Sequence, residues 1–353
     1  MSTFVIGYYS LLIAASCLAA YYKRREPFLI IFGLTLISIV VGIVGGIGAL
    51  RAITTAVGLL ALAAGMSYAF KEFLVILAPE RIAKELRTAP LTASFGMFVI
   101  FIYAIAGIFA PVIAPHGEAE VIASSFAPAD ANMLLGADQL GRDMFSRIIY
   151  GARNSVGLAL LATGLAFVMG ALAGLLAATR GGWFDQVMGR TADVVMSVPS
   201  LIFALLMLSI FGTNLAVIVI VVGIIYSPRV FRLTRAVAGN VVVMDYIEAA
   251  KLRGEGNWYL IRKEILPNST APLIAEFGLE FCFVFLLIAG LSFLGLGIQP
   301  PTADWGSMVR ENATLISFGE LTPLIPAAAI ALLTVAVNFV VDWMLYRSSG
   351  LKE

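Results

Sequence analysis

Runs of about 20 apolar residues, each long enough to cross a hydrocarbon core of roughly 30 Å as a helix, follow one another along most of the chain. Nine are read, near 3–22, 28–50, 52–70, 93–114, 155–179, 194–212, 214–231, 271–297 and 322–346. Backbone inside a bilayer must satisfy its own polar groups, so such runs dictate helices, and the fold class expected is an all-α polytopic membrane protein. With 60% hydrophobic and 13% charged residues, the chain is far more apolar than a water-soluble domain. The first run carries Lys23, Arg24 and Arg25 after its apolar stretch, the reverse of a cleaved secretory leader, and is therefore read as a retained span.

Basic residues set the orientation, because cytoplasmic segments retain them. Of the 23 Lys and Arg, only Arg51, Arg142, Arg147, Arg153 and Arg310 fall outside when the N-terminus is placed outside and the C-terminus in the cytoplasm. A net charge of +1 gives no basic stripe for nucleic acid. Cys17 and Cys282 lie far apart in apolar runs, suggesting neither a disulfide nor a thiolate metal site. No metal site and no catalytic residue is assigned. The single histidine, His116, builds neither a triad nor a multi-histidine centre, and no G-x-x-x-x-G-K-[ST] phosphate loop is present.

A boundary is placed near Thr88–Pro90, giving a leading region 1–89 and a main region 90–353. Residues 71–87 suit either an amphipathic helix on the inner surface, interrupted at Pro79, or the end of the third span with a linker. Two outer segments, 115–154 and 298–321, are polar and rich in Gly and Pro, as ordered loops are. Gly42 with Gly46, and Gly170 with Gly174, form G-x-x-x-G pairs that permit close helix packing.

The most distinctive loop is cytoplasmic, from Asp245 to Asn268. A short helix from Ile247 to Leu252 carries Glu248, and Gly254 and Gly256 flank a turn where positive φ costs little. Asn257 is expected to cap a second helix on which Trp258, Ile261 and Ile265 form an apolar stripe ending before Pro267. The pattern fits a surface that docks on a soluble partner, and equally a helical hairpin with no partner.

Glu248-Ala249-Ala250, Gly254 six positions after the Glu, and Ile265-Leu266-Pro267 resemble the EAA loop of ABC-importer membrane subunits. Gly136-Ala137-Asp138, Gly141-Arg142-Asp143, Ser146-Arg147 and Gly151-Ala152-Arg153 are similar to the outer-loop signature of the C-type permease in the dipeptide, oligopeptide and nickel branch. Leu291–Gly297 with Gln299-Pro300-Pro301 and Trp305-Gly306 is similar to that branch's segment after the fifth core helix, and Asp193, Met196 and Pro199 to the opening of the third.

The resemblance, over residues 90–350, implies a type I importer domain of six core helices, here with three extra N-terminal helices. It implies a non-catalytic subunit of the bacterial inner membrane that imports peptides, or nickel chelates, opines or sugars, by alternating access. The implied partners are two cytoplasmic ATPases, which use ATP and Mg, a second homologous permease forming a heterodimer, and an extracytoplasmic binding protein. The chain itself would bind no cofactor. Glu248, Ala249, Ala250, Gly254, Trp258, Ile265 and Pro267 would couple to an ATPase. A reading from another class is a membrane sensor or assembly protein that docks without transport.

The sequence departs from the family at Glu264, where a His is usual, and at Arg253, where an apolar residue is usual. Asp138, Gly141, Arg142, Asp143 and Arg147 are read either as a contact for the binding protein or as an ion-pair network that shapes their own loop. Glu276 and Glu280 lie four apart on one helix face; they line the pathway, or else Glu276 reaches the inner interface and Glu280 pairs with another helix or is protonated.

Overall fold

The computed structural model describes residues 49–318 and 322–348. The span read at 3–22, all but the last two residues of 28–50, and the Gly42/Gly46 pair lie outside the described residues. Helices are α1 (Ala49–Leu77), α2 (Glu80–Arg87), α3 (Leu91–Ile108), α4 (Met144–Arg180), α5 (Gly182–Met196), α6 (Ser200–Phe211), α7 (Leu215–Val242), α8 (Asp245–Leu252), α9 (Asn257–Phe293), α10 (Trp305–Asn312) and α11 (Leu324–Ser348). No strand occurs among the described residues, only two isolated bridges, Val121 with Arg142 and Ala137 with Asp143. Six helices are long and apolar enough to cross a bilayer, seven if the bent pair α5/α6 is one span.

The described residues fall into two units divided after Phe98, within α3. In the first, Pro79 separates α1 from α2, so residues 71–77 continue the third apolar helix and only 80–87 stand apart as an amphipathic helix. Ala83 and Leu86 form its buried side, and Lys71 Nζ donates to the Ala89 carbonyl at 2.7 Å.

In the second unit α7 packs along α4 more extensively than any other pair. The glycines of α4 make this possible: a Cβ on Gly170 would run into the Ser227 carbonyl oxygen, and one on Gly174 would lie 2.8 Å from the Phe231 carbonyl oxygen. Both obstacles are backbone, which yields less readily than a side-chain end. Gly170→Leu is therefore expected to destabilise the unit by about 1–3 kcal/mol, read as a lower unfolding midpoint of the purified protein. An unchanged midpoint would mean that the two helices do not pack this closely. The core around this pair continues through Phe285, Ile288 and Leu291 of α9 to Trp305 and Met308 of α10.

The span expected at 194–212 is not one straight helix. α5 and α6 meet at an angle of 86°, and α6 has only 12 residues, about 18 Å at 1.5 Å per residue, too short for a whole membrane. Pro199 causes the break: it has no N–H to donate and it pushes Val198 away from helical geometry. Asp193 and Met196 consequently belong to the end of α5, and Pro199 precedes α6.

Candidate functional site

The hairpin of α8 and the start of α9 is built on a small apolar anchor. Ile247 and Ala250 are fully buried and pack with Leu260, Ile261 and Ile265, together with Ala238 of α7 and Leu175 of α4. The opposite side of α8 is open: Glu248 and Ala249 are exposed, and Leu252 is 85% exposed. Gly254, at φ +86°, closes the helix. Its N–H donates to the Lys251 carbonyl at 2.9 Å and that of Glu255 to the Ala250 carbonyl at 3.2 Å, a paired closure that needs a left-handed residue. Gly256 is extended, at φ −78°, so only one of the two glycines uses a positive φ.

The second helix departs from expectation in three ways. Gly256, not Asn257, occupies the capping position, and no side chain caps there. A π-helical stretch from Leu260 to Ile265 widens the turn, so residues no longer repeat on the ordinary helical spacing. Leu260, Ile261 and Ile265 therefore face the anchor, while Trp258 is 63% exposed and joins the open side. Pro267 does not end the helix; it sits in the first turn of the α-helical stretch Leu266–Phe293, and the hairpin's second arm runs on as the spanning helix α9.

At the other end of the bundle, the signature residues of the first loop turn inward. Asp138, Arg142, Asp143 and Arg147 are each at most 2% exposed. Asp138 accepts from Arg142 Nε at 2.7 Å and pairs with Arg147 Nε at 3.3 Å, and Glu311 of α10 meets Arg142 Nη2 at 2.9 Å and Arg147 Nη2 at 3.5 Å. Arg147 Nη1 also donates to the carbonyls of Glu118 and Pro301, at 2.8 and 3.3 Å. Asp143 caps α4, accepting from the N–H of Phe145 and of Ser146. Gly141, at φ +77°, lies where any Cβ would strike the Ala123 carbonyl. These are not exposed pairs; Arg142 and Arg147 with Asp138 and Glu311 form a buried network that joins the two loops.

Partners that the sequence did not point to complete this end. Glu118 Oε2 accepts from Asn154 Nδ2 and from the Ala303 N–H, both at 2.9 Å. Asp304 accepts from the Ser155 hydroxyl at 2.8 Å and the Ser307 N–H at 2.9 Å. Burial raises the Asp304 carboxyl above the usual carboxylate range, and these hydrogen bonds oppose the rise. Trp305 donates to the Ile148 carbonyl at 3.0 Å, its ring lying where a Cβ on Gly151 would be.

Between the two ends, Glu280 of α9 is fully buried and lies 3.4 Å from Arg229 Nε of α7, while Glu276 is half-buried. Glu280 thus pairs with another helix, and Arg229, which the sequence did not single out, carries the exposed side of the pair.

These features define a class: a polytopic helical subunit with an anchored but exposed hairpin at one end and a rigid two-loop cap at the other. Residues 166–349 match the family described as binding-protein-dependent transport system inner membrane component. The di/tripeptide transport system permease protein DppC of Pseudomonas aeruginosa is 34% identical over 254 residues, covering 70% of this chain and 84% of that one. The probable D,D-dipeptide transport system permease protein DdpC of Escherichia coli is 32% identical over 258 residues, covering 73% and 86%. The glutathione transport system permease protein GsiD of Pectobacterium atrosepticum is 33% identical over 253 residues, covering 70% and 82%. The chain belongs to the family of binding-protein-dependent transport system inner membrane components. It is a multi-pass inner-membrane permease, working in a system that includes an ATPase and a binding protein.

Proposed function

We propose that the chain is one of two homologous permeases in a heterodimeric importer of peptides, driven by two cytoplasmic ATPases that consume ATP with Mg. The observation that carries this reading is the hairpin: a short helix whose buried side is fixed to α4, α7 and α9 and whose open side offers Glu248, Ala249, Leu252 and Trp258 to a partner. Gly254 sets the bend, and Ala250 and Ile265 hold the helix down. Pro267 lies where the hairpin passes into α9. In this reading the hairpin and C-terminus are cytoplasmic and the N-terminus is outside, as the placement of Lys and Arg suggests.

The first loop would meet the binding protein. Asp138, Gly141, Arg142, Asp143 and Arg147 frame its shape from within rather than touching the partner themselves. Peptide cargo is supported by the di/tripeptide, D,D-dipeptide and glutathione permeases among the relatives. Nickel chelates, opines and sugars remain the alternative cargoes of the same machinery.

The test is reconstitution of the complex with its binding protein in vesicles. Loaded binding protein is expected to stimulate ATP hydrolysis and peptide uptake together. Absence of stimulation under every condition would favour a docking protein that does not transport.

A further inference from the structure

The first outer loop folds back on itself as two paired legs. Ile122 and Ala123 both donate their N–H to the Gly141 carbonyl, at 2.9 and 3.1 Å, Phe126 donates to the Asp138 carbonyl at 3.0 Å, and Ala137 donates back to the Ala127 carbonyl at 2.9 Å. Glycine lets the legs approach: a Cβ on Gly136 would come within 2.7 Å of the Ala127 carbonyl oxygen. The returning leg carries Asp138 and leads into Arg142, so the buried network with Arg147 and Glu311 holds its base. At the turn, Asp130 Oδ1 accepts from the N–H of Asn132 and of Met133, at 2.9 and 2.7 Å.

This frame leaves large apolar side chains in the open. Val121, Phe126, Leu134 and Leu140 are 44–64% exposed. Phe126 is the most telling of them. Its φ of +56° is the only positive value at a non-glycine among the described residues, in a region where a bulky side chain is strained. Glycine would take that conformation freely, and the exposed ring gains little burial in return for the strain, so packing within the chain does not account for a phenylalanine there.

Charge and position define what the surface suits. Residues 117–141 include Glu118, Glu120, Asp130 and Asp138 and no Lys, Arg or His. Glu118 and Asp138 are bonded within the cap, which leaves Glu120 and Asp130 exposed on the same loop as the apolar residues. Anionic lipid headgroups attract basic segments and repel an acidic one. A protein surface with an apolar depression and a basic border matches both features. The loop also stands far from the exposed hairpin: α4 begins at Met144, directly after the loop, and reaches the hairpin's anchor at Leu175, about 46 Å along the helix.

We infer that Val121, Phe126, Leu134 and Leu140 form the docking surface for the soluble binding protein, which meets them with an apolar depression bordered by basic side chains. This rests on the reading that the first loop meets the binding protein, and the test separates the two.

In vesicles holding the whole complex, Leu134→p-benzoylphenylalanine is irradiated in the presence of the cognate binding protein. A covalent adduct with the binding protein is expected; adducts with lipid or with the second permease alone overturn the docking surface. Equilibrium binding of the labelled binding protein is measured for Phe126→Gly, which suits the backbone and removes the ring, and for the pair Leu134→Ser with Leu140→Ser. Both are expected to raise Kd about tenfold or more, as truncation of an interface anchor does, and Glu120→Lys to raise it less and chiefly at low salt. Co-purification of the ATPase subunits and the unfolding midpoint check that each variant is assembled and folded. Wild-type Kd in both apolar variants overturns the surface. Hydrogen exchange in the wild-type complex tests the underlying reading by itself: slowing within 115–154 on addition of the binding protein supports it, and slowing confined to 298–321 overturns it. Slowing within 115–154 together with wild-type Kd in the apolar variants removes the apolar surface and keeps the reading.

Discussion

Arg147→Met is expected to lower stability by about 3–5 kcal/mol, the range for removing one member of a buried ionic network. The loss has two sources. Asp138 and Glu311 are left with Arg142 as their shared cation, and the Glu118 and Pro301 carbonyls lose a donor in a region closed to water. Arg153, six residues on and exposed, provides the comparison: Arg153→Met is expected to change stability by no more than about 0.5 kcal/mol. Denaturant unfolding of both variants measures the difference. If Arg147→Met unfolds within about 1 kcal/mol of wild type, the network does not hold the two loops together. Because the charges are buried, the difference is also expected to persist in high salt.

Glu248→Arg addresses the opposite end. Glu248 is exposed and the anchor beneath it is made by Ile247 and Ala250, so the substitution leaves the hairpin folded. If Glu248 makes the proposed charge-assisted contact, worth about 1.5–3 kcal/mol, its loss is expected to weaken ATPase attachment by about 10–100-fold, and a reversed charge adds repulsion. Uptake is expected to fall by at least the same factor, while binding-protein docking on the other face is unaffected. Glu248→Gln, which removes charge without reversing it, is expected to fall between wild type and Glu248→Arg. ATPase co-purification and uptake at wild-type levels in Glu248→Arg would remove Glu248 from the contact.

What was legible in the sequence follows from which forces act locally. Unbroken apolar runs of membrane length declare helices, and α3, α4, α7, α9 and α11 lie where such runs occur. Gly254 was legible because an ordinary side chain is strained in the left-handed conformation that closes α8. The 194–212 run misled because hydropathy counts carbon and not backbone donors; the signal was Pro199, whose effect is conformational. Trp258 was assigned to the wrong face because the stripe assumed ordinary α-helical spacing, and the π-helical stretch changes that spacing without any compositional mark. The loop network was half visible. Asp138 and Arg142 stand four apart, but Glu311 is 169 residues from Arg142, and no periodicity links them. Arg229 reads in the sequence only as a positive charge; its place beside Glu280, Phe283 and Tyr226 is set by the packing of α7 on α9.

The continuity of α9 has a mechanical consequence. From Asn257 to Phe293 it is 37 residues long, about 55 Å, with its first turns in the hairpin and its last beside Trp305 and the capped loops. Such a rod acts as a lever whose pivot is its packing against α7 and α11. A tilt of about 5° about a pivot midway along it would move each tip by about 2–2.5 Å, in opposite directions. Tugging on the hairpin would thus be felt at the far rim through one continuous helix, and stiffness at the π-helical stretch Leu260–Ile265 and at Pro272, where its hydrogen bonding is interrupted, would set how faithfully the stroke arrives.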